Sequence, residues 1–274
     1  MHGRLCAQSL DAKRSGAGAL RSAGRDRRAP GGARAESAGG AALRRELEVY
    51  IRGWFDLDRD LRSFQKLARK DPVLRGLAKS YYGYRIVAIP DLFECLVWAV
   101  IGQQINLAFA YRLKRSFVEA YGESLEFDGE FYYAFPKASV VARARPERLR
   151  RMQFSRQKIE YTRIIARAVA SGEINQAELT TLPFDAVHRA LTRIKGVGNW
   201  TANYALMRCL LRPEAFPRED VGIHNALRLQ MGLDRKPTLA EVDEVFKRYR
   251  GHEAYASAYL WMSLLADSQN NSCI

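Results

Sequence analysis

The chain has 274 residues, 47% hydrophobic and 11% aromatic, with 44 Lys and Arg against 30 Asp and Glu and a formal net charge of +14. That length and composition give one large or two small globular domains with an ample core, and they exclude a fibrous or wholly disordered chain. No apolar run approaches the roughly 20 residues of a membrane-spanning helix, and the charge excess speaks to a polyanionic partner rather than to a fold.

Residues 1–42 differ in character from the rest of the chain. They are Ala-, Gly-, Arg- and Ser-rich, without aromatic residues or sustained periodicity, and +6 of the net charge lies within the first 44 residues. The segment reads as disordered, with a basic tether, a transit peptide and a functionless extension as its possible roles. From Leu43 to residue 274 the text is that of a folded, mostly helical domain. Glu46–Trp54 and Asp60–Arg69 have amphipathic helical spacing, Asp71-Pro72 opens a third short helix, and Tyr81–Pro90 is extended. Asp91–Ile101 and Asn106–Tyr121 are apolar helices around the joint Gly102-Gln103-Gln104-Ile105. A turn at Asp128-Gly129 between alternating apolar residues predicts a small β-hairpin. Ser155 caps a helix that stops at Gly172. Thr238 to Glu241 is a capping box, and a last helix covers about Glu253 to Ala266. In all, eight to ten helices and little sheet are expected.

The four cysteines, Cys6, Cys95, Cys209 and Cys273, are scattered, and the four histidines show no HxxxH or HExxH spacing. Neither a zinc site nor an iron–sulfur cluster is supported. Cys95 and Cys209 lie in apolar helical text and read as buried thiols of a reducing compartment.

The segment 184–210 reads as two short helices joined by the tight turn Ile194-Lys195-Gly196-Val197-Gly198. The first buries Val187, Ala190, Leu191 and Ile194, and the second presents Trp200, Tyr204 and Met207. Gly196 and Gly198 are expected to supply the φ > 0 that the reversal needs. Bare glycines also leave amides exposed at the start of the second helix, where the dipole favours an anion. On a basic protein that anion is a nucleic-acid phosphate. Asp220 follows in FPREDVGI, 22 positions after Gly198.

With these residues assembled, the chain resembles the 3-methyladenine DNA glycosylases II, the alkylation-repair branch of the helix-hairpin-helix glycosylase superfamily. The likeness spans about Val49 to Ala266. It rests on FDLD (Phe55–Asp58), DPVLRGL (Asp71–Leu77), FECLVWAVIGQQI (Phe93–Ile105), SRQKIEY (Ser155–Tyr161), IKGVGNWTANYALMR, FPREDVGI and YLWM. The resemblance implies a mainly α fold of two helical subdomains with the active-site cleft between them. It makes Asp220 the catalytic carboxylate, and it sets Gly196, Val197 and Gly198, with Lys195 beside them, on a DNA phosphate. Gln104 becomes the wedge that fills the hole left by a flipped nucleotide, and Trp200, Tyr204 and Trp261 line the base pocket. No cofactor or catalytic metal is implied beyond a monovalent cation at the hairpin. The implied partner is duplex DNA carrying alkylated bases, bound by a monomer in the cytoplasm at the nucleoid, without membrane attachment.

Each residue also has a plainer role open to it. Asp220 suits a helix N-cap, Trp200 and Tyr204 suit a core, and Gln104 suits a solvated helix joint. Bifunctional relatives carry a lysine where Trp200 stands, and an indole has no amine for a Schiff base, so hydrolysis without strand cleavage is expected. The rival activities are a non-catalytic DNA-binding or damage-sensing protein and, less in keeping with Trp200, a bifunctional glycosylase/lyase. The family's N-terminal antiparallel sheet domain is expected to be missing or truncated, because fewer than 50 residues of unsuitable composition precede the helices.

Overall fold

The computed structural model describes residues 38–270. The fold is mainly helical, with one two-stranded sheet among the described residues. In chain order, α1 is Ala38–Trp54, α2 Arg62–Lys70, α3 Arg75–Ser80, α4 Leu92–Gly102 and α5 Leu107–Tyr121. Strands β1 (Ser124–Phe127) and β2 (Glu130–Tyr133) pair antiparallel with Phe127 opposite Glu130 around the expected Asp128-Gly129 turn. Next come α6 Ala138–Ala142, α7 Pro146–Arg151, α8 Arg156–Ala170, α9 Gln176–Thr181, α10 Phe184–Thr192, α11 Asn199–Arg208, α12 Val221–Met231, α13 Leu239–Phe246 and α14 Glu253–Asn270. Fourteen α-helices are described instead of eight to ten. Among the helices that the spacing does not predict are α6, α7 and α9, pieces of five or six residues that are too short to set up a readable hydrophobic period. Residues 38–42, grouped by composition with the N-terminal segment, form the start of α1. Residues 1–37, with Cys6, and Cys273 lie outside the described residues.

Several of the helices start on side-chain caps. Asp91, Asn106, Ser155, Asp220 and Thr238 each accept from an amide three residues on, and Thr238 and Glu241 complete the capping box. Asp71 accepts from the Val73 and Leu74 amides, but these close a turn, and α3 begins only at Arg75.

The helices fall into two packed groups that share one core. The middle of the chain gathers around α4, which buries residues on every face and packs on α5, α8 and α11, as an all-round apolar helix must. The other group joins α2 and α3 to α12, α13 and α14 from the opposite end of the chain. Two carboxylates from landmark motifs fasten it. Buried Asp56 accepts from the Tyr255 hydroxyl at 2.8 Å and from Arg59 at 2.5 Å. Buried Asp71 accepts from the Tyr249 hydroxyl at 2.8 Å and pairs with Arg248 at 2.9 Å. Buried carboxylates paired this way are costly to disturb, since removing either partner strands the other.

Candidate active site at the seam of the two helical groups

Asp220 stands at the N-cap of α12, where the two groups meet. The turn before it closes through its own amide onto the Pro217 carbonyl at 2.9 Å, and the Asn203 side chain holds the loop by accepting from the Phe216 amide. Its Oδ1 accepts from the Ile223 amide at 3.0 Å, so the cap that the sequence suggests is present. The same oxygen accepts from the Trp261 indole N–H of α14 at 2.8 Å, and Oδ2 accepts from the Trp200 indole N–H of α11 at 2.9 Å. One carboxylate is thus held from both helical groups. Gly222 permits this, because a Cβ there would meet Asp220 Oδ1 at 2.8 Å and the Trp261 ring at 3.1 Å.

Around the carboxylate lies a set of aromatic rings. Trp200 stacks on Tyr204 with centroids 5.3 Å apart, and Tyr204 meets Trp261 at 6.2 Å. At 5.3 Å the first pair admits no third ring, so Trp200 and Tyr204 form one wall together and Trp261 another. Trp200 and Trp261 are half-buried, while Tyr204 is buried as a core residue is. Trp98, which in sequence has only the look of helical core, donates its indole N–H to the Tyr204 hydroxyl at 3.0 Å and packs on Tyr111. Burial pushes the Tyr204 phenol up to about 12, so it stays protonated and keeps its own O–H to donate.

The hairpin between α10 and α11 differs in one respect from expectation. Gly196 has φ +95°, but Gly198 has φ −84° and ψ −177°, extended backbone that any residue adopts. The left-handed requirement falls on Gly196 alone. There a Cβ would lie 2.3 Å from Tyr161 Cγ, so close approach to α8 adds to the demand for glycine. Gly198 is exposed, with open space where a Cβ would be, and it starts α11 without a side-chain cap. An uncapped, uncovered helix start is the geometry an anion needs. Lys195 is exposed and pairs with Glu160 at 2.5 Å, which raises the pKa of its ammonium and keeps it protonated. An exposed ion pair of this kind exchanges readily for a phosphate.

Gln104 is exposed in the joint between α4 and α5 with φ +55°, a left-handed conformation uncommon outside glycine. Its neighbour Gln103 reaches Thr201 Oγ1 of α11 at 3.3 Å. Beneath the joint, buried Lys158 donates to the carbonyls of Val100, Ile101 and Gln103 at 3.0, 2.9 and 2.6 Å. No signal within the sequence marks that lysine as reaching back to α4. Burial pushes the thiol of Cys95 up to about 12 and that of Cys209 well above its ordinary value, so both are inert packing groups. A cavity of about 560 Å³ lies away from the carboxylate beside α2, and its rim carries Lys66, Arg69 and Lys70.

The arrangement has the parts of a known class of enzymes. Residues 97–250 match the model of the HhH-GPD superfamily of base excision DNA repair proteins. Residues 37–96 match the N-terminal domain of 8-oxoguanine DNA glycosylase. Among the described residues that stretch is helical and extended, without a strand. The chain is 46% identical to the DNA-3-methyladenine glycosylase of Bacillus subtilis over 81% of its own length and 73% of the relative's. In structure it is similar to the 3-methyladenine DNA glycosylase from Archaeoglobus fulgidus, with TM-score 0.71 and 27% identity over 83% of this chain and 76% of that one. It is also similar to the Schizosaccharomyces pombe 3-methyladenine DNA glycosylase in complex with abasic DNA, with TM-score 0.63 and 27% identity over 72% and 94%. The chain belongs to the HhH-GPD superfamily of base excision DNA repair proteins.

Proposed function

We propose that the protein is a monofunctional DNA glycosylase that hydrolyses the N-glycosidic bond of alkylated, 3-methyladenine-type bases flipped out of duplex DNA. The observation that carries this is the Asp220 carboxylate, held by two indole N–H groups beside the rings of Trp200, Tyr204 and Trp261. A base within a duplex must leave the stack and meet aromatic or apolar walls. The N–H edges of Trp200 and Trp261 are committed to Asp220, which leaves their faces to the base. An alkylated purine is cationic, so those faces attract it beyond simple stacking. It also departs as a neutral molecule, and no general acid is required.

What the step needs is negative charge beside C1′ as the sugar becomes oxocarbenium-like, and a carboxylate in a water-poor site supplies it. Oδ1 already accepts twice and Oδ2 once. A carboxylate oxygen has two lone-pair sites, so Oδ2 keeps one to face C1′ or to orient the attacking water. Water then adds its oxygen to C1′, its proton passes to the medium, and the neutral base departs. In this scheme the hairpin of Lys195, Gly196, Val197 and Gly198 grips a phosphate and Gln104 fills the vacated position in the stack. Among the described residues no three His, Cys, Asp or Glu side chains gather to bind a metal, so a monovalent cation at the hairpin would rest on main-chain carbonyls, a donor set that suits such ions. No helix among the described residues is long and apolar enough to cross a membrane. On the proposed reading the protein works on its DNA at the nucleoid, as a monomer.

The test is to incubate alkylated duplex DNA with the protein and identify the released bases by mass spectrometry. Asp220→Asn is expected to lower base release by at least about 10²-fold, with DNA affinity retained. Asn keeps the cap to Ile223 but turns an amide N–H toward Trp200 Nε1, so a modest loss of stability accompanies it. Wild-type turnover by this variant would remove Asp220 from the chemistry and leave the non-catalytic DNA-binding alternative. In the same mixture borohydride should trap no protein–DNA adduct, since Trp200 has no amine and Lys195 is held protonated.

A further inference from the structure

Lys158 is the one buried lysine among the described residues, 8% exposed, and no carboxylate there pairs with it. A buried ammonium without a counter-ion is expensive, and an apolar side chain of similar length would fill the space at less cost. Its three N–H donors are instead matched to three main-chain oxygens, those of Val100, Ile101 and Gln103. Val100 and Ile101 belong to the last turn of α4, which carries the negative end of the helix dipole, and the Val100 carbonyl also accepts from the Gln103 amide at 3.3 Å. The Gln103 carbonyl belongs to the peptide plane that sets φ of Gln104. That residue holds φ +55° at the exposed tip of the joint, a conformation that persists only where its surroundings over-determine it. On the far side of the joint, Asn106 caps α5 and Gln103 is tied to Thr201. Every fixed point of the joint therefore surrounds Gln104, and Lys158 supplies three of them.

We propose that Lys158 is a positioning residue for nucleotide extrusion: its ammonium braces the α4–α5 joint so that Gln104 enters the stack on a rigid mount. This rests on the assignment of Gln104 as the wedge. A loose wedge would yield to the pressure of the duplex, whereas a braced one holds the opened state while the base is in the pocket. The brace matters in proportion to how hard the target base is to unpair, and it has no part in bond cleavage once the base is out.

That separation gives the experiment. Single-turnover base release is measured for full-length wild type, Lys158→Met and Gln104→Ala, on duplexes with the lesion opposite its normal partner and opposite a mismatched base, where extrusion is easier. Lys158→Met is expected to lose about tenfold or more on the paired duplex and at most about threefold on the mismatched one. Gln104→Ala should show the same pattern, and the double variant should be no worse than Gln104→Ala, because the two residues act as a unit. Should Lys158→Met fail to fold, Lys158→Gln, which keeps two N–H donors on a shorter stem, carries the same comparison. Equal losses on both duplexes, or no loss, would overturn the proposal and leave Lys158 a structural residue, with the glycosylase assignment intact. Gln104→Ala with equal activity on both duplexes would instead remove the wedge assignment, and this proposal with it.

Discussion

Asp220 combines three functions in one side chain. It caps α12, it ties together α11 and α14 through two indoles, and it presents its remaining lone pair to the pocket. Under the proposed function Trp200 is accordingly both a pocket wall and a positioning group. Trp200→Phe keeps an aromatic face but removes the N–H, leaving Oδ2 without its donor while Oδ1 stays held by Ile223 and Trp261. The expected result is a single-turnover rate lower by about tenfold, consistent with a lost hydrogen bond to a charged group, and little change in DNA affinity measured by fluorescence anisotropy. An unchanged rate would show that the indole serves the base alone. The cap was legible in the sequence, because an Asp directly before a helical run is a local signal. The two indole bonds were not, because they join residues 20 and 41 positions away, which spacing along one element does not report.

Helix α8 acts as a strut under the hairpin and the α4–α5 joint. Ser155 caps it, Lys158 reaches the joint, Glu160 meets Lys195, and Tyr161 lies against Gly196. The motif SRQKIEY is readable as a capped helix, but its reach to two other elements depends on packing, which a local motif does not encode. The same holds for the two hairpin glycines, which look equivalent in sequence and are not. Gly196→Ala places a Cβ in the Tyr161 ring at φ +95°, and its cost should be about 1–3 kcal/mol in thermal or denaturant unfolding. Gly198→Ala meets open space at an ordinary φ, so its stability should stay within about 0.5 kcal/mol of wild type. Its affinity for DNA of every sequence should fall, because the methyl group stands where a phosphate must approach. Loss of stability in Gly198→Ala equal to that in Gly196→Ala would contradict the assigned roles.

Over the whole molecule, the net charge of +14 calls for a salt test. Binding to undamaged duplex should weaken with ionic strength, with a log–log slope near −0.9 per phosphate neutralised, and a flat response would exclude a phosphate-gripping surface. The overall architecture was legible because long amphipathic helices, caps and ordered motifs are local in sequence. The division into two groups was legible only through the family resemblance, since it depends on pairings such as Asp56 with Tyr255 and Asp71 with Tyr249 that join the two ends of the described chain and that residue spacing does not report.

Those pairings also set an order on assembly at the ribosome. The α4–α5 joint, the hairpin and Asp220 itself leave the exit tunnel before Tyr249, Tyr255 and Trp261 do. Until Tyr249 and, behind it, α14 dock, Asp71 and Asp56 lack their hydroxyl partners, and Asp220 Oδ1 lacks its indole. Contacts spanning nearly 200 residues close late, because the loop entropy must be spent before they return any stabilisation. A nascent or C-terminally clipped chain therefore carries the hairpin without a fastened Asp220 carboxylate, and under the proposed function the capacity to break a glycosidic bond arrives only with the last helix.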